Sequence, residues 1–350
     1  MHEFDNEIYR GFYMSEMQVT DTVIVTGGAG FIGSALVRIL VDLGIYTVVN
    51  IDKLSYCGNT DNISDVMDNP KHIFIREDIT NVEEINKIFL RYHPKAILHL
   101  AAESHVDNSI NSPKEFISTN IVGTFTLLEV ARSYYEQLSK LDKEKFKFVH
   151  VSTDEVYGTL QINEPSFNEN SNYRPNSPYS SSKASSDMLV RAWYETYGLP
   201  TVITNCTNNY GPYQYPEKLI PVIINKAITG EKLPIYGNGQ NIRDWLYVDD
   251  HAKALIFAME KGVPGQTYCI GANNEYSNLS LVEKICDILD RLKPKLDGTS
   301  YREQISFVTD RLGHDLRYSL DASKITRELG WQPEMSFEDG LIETVEWYLS

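Results

Sequence analysis

The sequence predicts an α/β chain built on a doubly wound parallel sheet, with a second, smaller mixed α/β lobe. Three observations carry this. Strand-like apolar runs alternate with helical patterns through the first two hundred residues. The first strand enters a glycine-rich turn, Gly27 to Gly33, and the second ends at an acid, Asp52. After Pro212 the alternation gives way to aromatic, Pro- and Gly-rich segments such as Tyr213-Gln214-Tyr215-Pro216 and Pro234 to Gly239.

Thr22 to Thr26 reads as strand one, and Ile32, Leu36, Ile39, Leu40 and Leu43 recur at helical spacing after the turn. Tyr46 to Ile51 is the second strand. Strand, glycine turn, helix, strand and terminal acid form the layout of a dinucleotide site. Glycines let backbone amides approach a pyrophosphate at a helix N-terminus, where the dipole favours anions. Asp52 can accept from both ribose hydroxyls and repels a 2′-phosphate, which favours NAD over NADP. His72 to Arg76 is a strand that leads to Asp78-Ile79, and Val82 to Tyr92 a helix. Ala96 to Leu100 is a strand entering Ala101-Ala102-Glu103-Ser104-His105. A long helix from about Pro113 to Gln137 and a buried strand ending at Thr153 follow. Thr201 to Asn205 is the sixth strand, and Thr207 to Pro212 leaves it as a loop. Ile242 to Asp250 is expected to return to the sheet domain. Amphipathic helices at 280–292, 322–329 and 337–349 close the chain. Ligands in such Rossmann-like sheets bind beyond the carboxyl ends of the strands, so Gly30, Asp52, Asp78, Ala101 and Thr153 should share one rim.

Composition narrows the function. At 350 residues the chain is expected to hold about two domains. A formal net charge of −16 argues against a nucleic-acid partner, which needs clustered Lys and Arg. Cys57, Cys206, Cys269 and Cys286 are far apart and suggest neither a metal site nor a disulfide framework. They read as reduced thiols of a cytoplasmic protein. No apolar run approaches the ~18 residues of a membrane helix. Met1 to Gln18 reads as a loose extension.

The chemistry concentrates between His150 and Lys183. Tyr179-x-x-x-Lys183 puts both side chains on one helix face. A tyrosine must lose roughly three pKa units, about 4 kcal/mol, to act as a base near neutrality. One ammonium at about 4 Å supplies a similar energy at an effective dielectric near ~20. Lys183, helped by a positive nicotinamide, is large enough. Thr153-Asp154-Glu155 fits two accounts. One is a helix start with a Thr cap and acids in the first turn. The other is an acid pair whose pKa values split, so that one holds a proton while the other takes one. The second suits loss of water next to a carbonyl. His105, in a polar loop, reads as structural, and Ser104 is the better candidate for ligand contact.

The segments TGGAGFIG, LAAESHVD, STDEVYG, PYSSSKA, TNNYGPYQYPEKLIP, LPIYGNGQNIRDWLYVDDH and DRLGHDLRY carry a resemblance over nearly everything after residue 20. The chain resembles the dTDP-glucose 4,6-dehydratases, extended short-chain dehydrogenases/reductases. The resemblance implies oxidation of a dTDP-glucose at carbon 4 by tightly bound NAD, water loss across carbons 5 and 6, and hydride return to carbon 6. The resemblance points to a product that serves deoxyhexoses such as rhamnose. It implies Tyr179 and Lys183 for the oxidation, Glu155 as base, Asp154 as acid and Thr153 as a hexose contact.

The implied cofactor set is Gly27, Gly30, Phe31, Ile32, Gly33, Asp52, Lys53, Leu54, Ser55, Asp78, Ile79, Leu100, Ala101, Ala102, Ser104, Thr119, Tyr179, Lys183 and Asn209. Ser104, Thr153, Asn208, Lys218 and Leu219 would meet the substrate. Pro234, Ile235, Tyr236, Arg243, Asn278 and the loop Asp310-Arg311-Leu312-Gly313-His314 would hold its nucleotide and diphosphate. Arg243 has a plainer alternative, an ion pair with Asp244. The chain departs from the family pattern at Leu312, where proline is usual, and at Leu316, where a polar or aromatic residue is. The implied domains are an extension over 1–18, an NAD-binding domain over 19–206 rejoined by about 240–262, and a sugar-nucleotide lobe over 207–239 and 263–350. Helices near 113–137 and 179–197 would pair into a four-helix homodimer interface. Three other readings stay open: the same reaction on UDP-glucose, a sugar-nucleotide 4-epimerase with no use for Asp154 and Glu155, and a non-catalytic NAD-binding regulator.

Overall fold

The computed structural model describes residues 21–310 and 315–350. The expected extension over 1–18 and the loop residues Arg311 to His314 lie outside the described residues. The strands in chain order are β1 (Asp21–Thr26), β2 (Tyr46–Asp52), β3 (His72–Arg76), β4 (Ala96–His99), β5 (Lys147–Thr153) and β6 (Thr201–Cys206). They continue as β7 (Asn208–Tyr210), β8 (Leu233–Tyr236), β9 (Ile242–Tyr247), β10 (Thr267–Ile270), β11 (Glu275–Ser277) and β12 (Ile305–Val308). The main sheet has seven strands in the order β10-β6-β5-β4-β1-β2-β3. Every neighbouring pair in it is parallel. Val23, Ile24 and Val25 of β1 are fully buried because helices cover both faces, which is why the strand is an unbroken apolar run.

The principal helices are α1 (Phe31–Leu43), α2 (Val82–Tyr92), α3 (Thr124–Gln137), α4 (Pro178–Tyr197), α5 (Leu219–Ile228), α6 (Val248–Lys261), α7 (Asn278–Leu292) and α8 (Phe337–Leu349). One face of the main sheet packs Leu36 and Leu40 of α1 with Ala252 and Leu255 of α6. The other packs Ile85 and Phe89 of α2 with Leu127 and Leu128 of α3 and Val190 of α4. A third core joins Ile220, Ile223, Trp245, Leu281, Ile285 and Phe337 in the smaller lobe. That lobe carries a three-stranded sheet, β11-β9-β7, and a two-stranded one, β12-β8.

Four sequence expectations change. Thr207 to Pro212 is not all loop, because Asn208–Tyr210 pairs with β9 as a short strand. Ile242 to Tyr247 does not return to the main sheet but forms the centre of the small one, and only α6 after it packs on the large sheet. The boundary at 263 is misplaced, since Thr267–Ile270 is the edge strand beside β6. Its Tyr268, Cys269 and Ile270 are fully buried, too short a run to stand out as a strand of that sheet. The long helix over 113–137 is interrupted by a π-helical turn, Ile117–Gly123, of the kind that marks functional sites. There Gly123 lies so close to Ile79 that an added Cβ would sit 2.5 Å from its side chain.

Candidate active site

At the rim above β1, the glycine turn is built for close backbone approach. Gly27 has φ +75°, and a Cβ there would meet Ala101 N at 2.7 Å. A Cβ on Gly33 would lie 2.1 Å from Gly27 O. Gly30 is the N-cap of α1 and brings no side chain to its first-turn amides, which face a cleft. The Asp52 carboxylate is fixed at the end of β2 by the amides of Ala29 (3.0 Å) and Leu54 (2.8 Å). Leu54 takes φ +57° to make this bond. Lys53 donates to Thr119 Oγ1 at 2.9 Å and lies 3.8 Å from Asp78 and 3.5 Å from Glu103. An anion-ready helix start, a fixed acid and a side-chain-free turn fit a dinucleotide.

The same cleft is lined by Gly27, Gly30, Phe31, Ile32, Gly33, Asp52, Lys53, Ser55, Ile79, Leu100, Ala101, Ala102, Ser104 and Thr119. It continues to Thr153, Asp154, Glu155, Tyr179, Lys183, Asn208, Asn209 and Lys218. The structure therefore brings the expected cofactor and catalytic residues together. Leu54, Asp78 and Leu219 do not line the cleft. Pro234, Ile235, Tyr236, Arg243, Asn278 and Asp310 belong to the smaller lobe and do not line it.

Helix α4 holds the Tyr/Lys pair firmly. Ser177 caps it by accepting the Ser180 N–H at 3.0 Å, and Ser180 Oγ accepts the Ser177 N–H in return. Pro178 occupies the first turn, and Gly198 at φ +70° ends the helix. Lys183 Nζ donates to Val151 O at 2.8 Å, and burial brings its pKa down to about 8. In the chain itself, burial, Glu155 and Cys206 push the Tyr179 pKa well above the usual value, and only the Thr153 side chain opposes them by hydrogen bonding.

Thr153 caps the turn as the first account has it, and Asp154 has the raised pKa that the second asks of one acid. Thr153 caps a 3₁₀ turn over Asp154–Tyr157, accepting the Glu155 N–H at 3.3 Å. Asp154 is 2% exposed, and Thr153 Oγ1 donates to its Oδ1 at 3.2 Å while Oδ2 is buried without a partner. Burial first, and Glu155 second, push the Asp154 carboxyl well above the carboxylate range, so it holds its proton.

In the smaller lobe, Arg243 donates to the carbonyls of Ile242 (2.7 Å) and Asp315 (2.9 Å) and lies 4.4 Å from the Tyr318 ring. Asp244 accepts the amides of Ala272 (3.3 Å) and Asn274 (2.7 Å). Gly237, which follows Tyr236, packs against Asp310: a Cβ there would lie 2.8 Å from Asp310 Oδ2. The lobe reaches over the cleft through Lys218, which donates to Ser104 O at 3.3 Å, and through Tyr215 packed edge-on against Tyr56.

The sequence model of the GDP-mannose 4,6 dehydratase family matches residues 24–344. The dTDP-glucose 4,6-dehydratase of Salmonella typhimurium is 56% identical over 336 residues, covering 94% of this chain and 92% of that one. The chain belongs to the dTDP-glucose 4,6-dehydratase family. The crystal structure of the Streptomyces venezuelae dTDP-glucose 4,6-dehydratase with NAD bound superposes with a TM-score of 0.84 at 43% identity, covering 94% of this chain and 97% of that one. A Thermotoga maritima UDP-glucose 4-epimerase superposes almost as well, with a TM-score of 0.82 at 31% identity, covering 94% and 98%. The fold alone therefore does not separate dehydratase from epimerase.

For a member of this dehydratase family, several cleft residues escaped the sequence reading. Glu103 is buried, and Asn120 of the π turn clamps its backbone by accepting the Glu103 N–H at 2.8 Å and donating to its carbonyl at 3.0 Å. Gln214 donates to Asn209 O at 2.9 Å. His251 Nδ1 lies 2.8 Å from Asn209 Oδ1 and fixes that amide. None of these has a spacing signal, because each acts across a turn or between distant segments. His105 caps the helix at Val106–Asn111, as its structural reading implies.

Proposed function

We propose that this chain converts dTDP-glucose to dTDP-4-keto-6-deoxyglucose, a hydro-lyase reaction, with NAD as resident cofactor. The observation that carries this reading is the buried, proton-holding Asp154 beside Glu155, on the same rim as Tyr179 and Lys183. An epimerase has no use for such a pair. The names of the Salmonella relative and the NAD-bound Streptomyces structure support the same substrate and cofactor. NAD, when bound, supplies a reversible hydride acceptor.

The glycine turn and Asp52 hold the dinucleotide, with Lys53, Leu54, Ser55, Asp78, Ile79, Thr119 and Asn209 around it. Tyr179 takes the proton of the sugar's 4-hydroxyl. Oxidation there acidifies the hydrogen on carbon 5, and Glu155 removes it. Asp154 gives its proton to the departing 6-hydroxyl. Thr153 and Ser104 bond the hexose, with Asn208, Lys218 and Leu219 beside it. Pro234 to Tyr236, Arg243, Asn278 and the Asp310 to His314 loop hold the nucleotide and diphosphate.

The enzyme works as a homodimer, a reading supported by apolar side chains left exposed on α3 and α4, and in the cytoplasm, a reading supported by four free thiols. Among the described residues no helix is long and apolar enough to cross a membrane. The test offers dTDP-glucose and UDP-glucose separately and follows the keto product by its alkaline absorbance. Turnover of dTDP-glucose is expected; an epimer, turnover of UDP-glucose alone, or no product overturns the reading.

A further inference from the structure

Beneath the Tyr/Lys pair, helix α4 continues into the core with a second buried ionisable side chain, Asp187, one turn beyond Lys183 on the same face. Lys183 is 4% exposed and Asp187 1%. Three donors converge on Asp187 Oδ2: Tyr173 OH at 2.8 Å, Ser152 Oγ at 2.9 Å and Asn205 Nδ2 at 3.3 Å. Three hydrogens aimed at one oxygen are the donor set of a carboxylate acceptor. Its other oxygen, Oδ1, lies 3.1 Å from His150 Nε2.

A buried carboxylate needs a counter-charge. The titratable groups packed around this pocket come from five segments: His99 on β4, His150 on β5, Asp154 and Tyr157 on the 3₁₀ turn, Tyr173 on the loop before α4, and Cys206 on β6. Burial holds both histidines neutral, His150 at about 4 and His99 well below its usual value. Burial raises Cys206 to about 12 and lifts both tyrosines and Asp154 far enough to stay protonated. None of these groups supplies a positive charge, which leaves Lys183 to do so. Burial lowers the Lys183 pKa, and Asp187, one turn along the same helix face, acts against it more strongly than any other group.

We propose that Asp187 is a positioning residue for the reaction: the buried counter-charge, fixed by Ser152, Tyr173 and Asn205, that keeps Lys183 an ammonium at the active site. Its catalytic consequence rests on the function proposed above, whereas the charge state of Lys183 does not. No bond is made or broken at Asp187 itself.

The decisive variant is Asp187→Asn, which keeps shape and loses charge, read by the 13Cε resonance of Lys183 titrated in the full chain. That resonance is assigned by its loss in Lys183→Met. The Lys183 midpoint should fall by about one pH unit or more in Asp187→Asn. The alkaline limb of the kcat profile should fall with it. Ser152→Ala removes a hydrogen bond from the same carboxylate and keeps the charge, so its midpoint should stay near that of the unmodified chain. An unmoved midpoint in Asp187→Asn overturns the proposal, as does an equal fall in Ser152→Ala. Should Asp187→Asn not fold, Asp187→Glu, which retains the charge, must fold with a midpoint near the original; a fall there overturns it too. Absence of turnover on dTDP-glucose would defeat the functional reading while leaving the resonance titration intact.

Discussion

Lys183 Nζ donates to Val151 O at 2.8 Å, a bond that crosses from helix α4 to the strand whose end carries the acid pair. It ties the side chain to β5 two residues before Thr153. The ammonium is therefore fixed relative to Asp154 and Glu155 by main chain, and not by contact with Tyr179. This makes Lys183 a structural link between strand and helix as well as a charge.

Lys183→Met should separate these two roles. Losing the charge removes a contributor to proton transfer, and turnover should fall by about 100-fold or more. Losing the donor leaves Val151 O buried without its partner, so stability should fall by about 1–3 kcal/mol. Urea unfolding measures the second and steady-state kinetics the first. A variant as stable as the original chain would show that the bond carries no net weight.

Asp154→Asn gives a prediction about pH and stability. The folded chain raises the Asp154 pKa well above that of an unfolded aspartate. Its contribution to stability is therefore fully present below about pH 4 and is lost as pH rises through the folded pKa. Between those limits the loss is about 1.4 kcal/mol per pH unit. Asn cannot titrate, so the variant should gain on the original chain as pH rises from 5 to 8, whatever its activity. Denaturant midpoints at several pH values check this; a constant difference would mean that Asp154 ionises normally.

The sequence carries the nucleotide half of the site because that half is local. Gly27 to Gly33, Asp52 and the Tyr179/Lys183 pair each sit on one strand, turn or helix, where spacing alone sets direction. Thr153 is both a cap and a wall of the cleft, so the two accounts of Thr153-Asp154-Glu155 were never exclusive. What spacing misses is long-range. Asp187 meets Ser152 and Tyr173 across 35 and 14 residues, and His251 meets Asn209 across 42. Burial and Glu155, which raise the Tyr179 pKa in the chain itself, are likewise invisible to spacing. The edge strand β10 was missed because four residues are too few to show a period.

Glu155→Gln should stop the reaction after oxidation at carbon 4. In D2O, the product of the original chain should carry deuterium at carbon 5, because the base there exchanges with solvent. The Gln variant should form product about 100- to 10,000-fold more slowly, the range expected for loss of a general base. Mass spectrometry of the product and absorbance at alkaline pH read the two effects. Undiminished turnover would move the base elsewhere on the rim.

The last prediction concerns assembly. Five apolar side chains stay well exposed along the helical segments before and within α3 and along α4: Ile117 at 48%, Val122 at 46%, Phe125 at 44%, Met188 at 59% and Tyr197 at 50%. Phe125 stacks edge-on against Trp193 of α4 at 5.8 Å, and Trp193 against Tyr197 at 5.4 Å, so apolar contact runs from α3 to α4 at this face. An exposed apolar patch of this kind marks an interface. A two-fold pairing of α3 and α4 with their copies would bury it. Light scattering should give twice the 39.9 kDa chain mass. Phe125→Asp places a charge at the centre of the patch and should return a single-chain mass, while the circular dichroism spectrum stays unchanged because Phe125 is not part of the core. A Phe125→Asp chain that still scatters as a dimer would place the interface on another face.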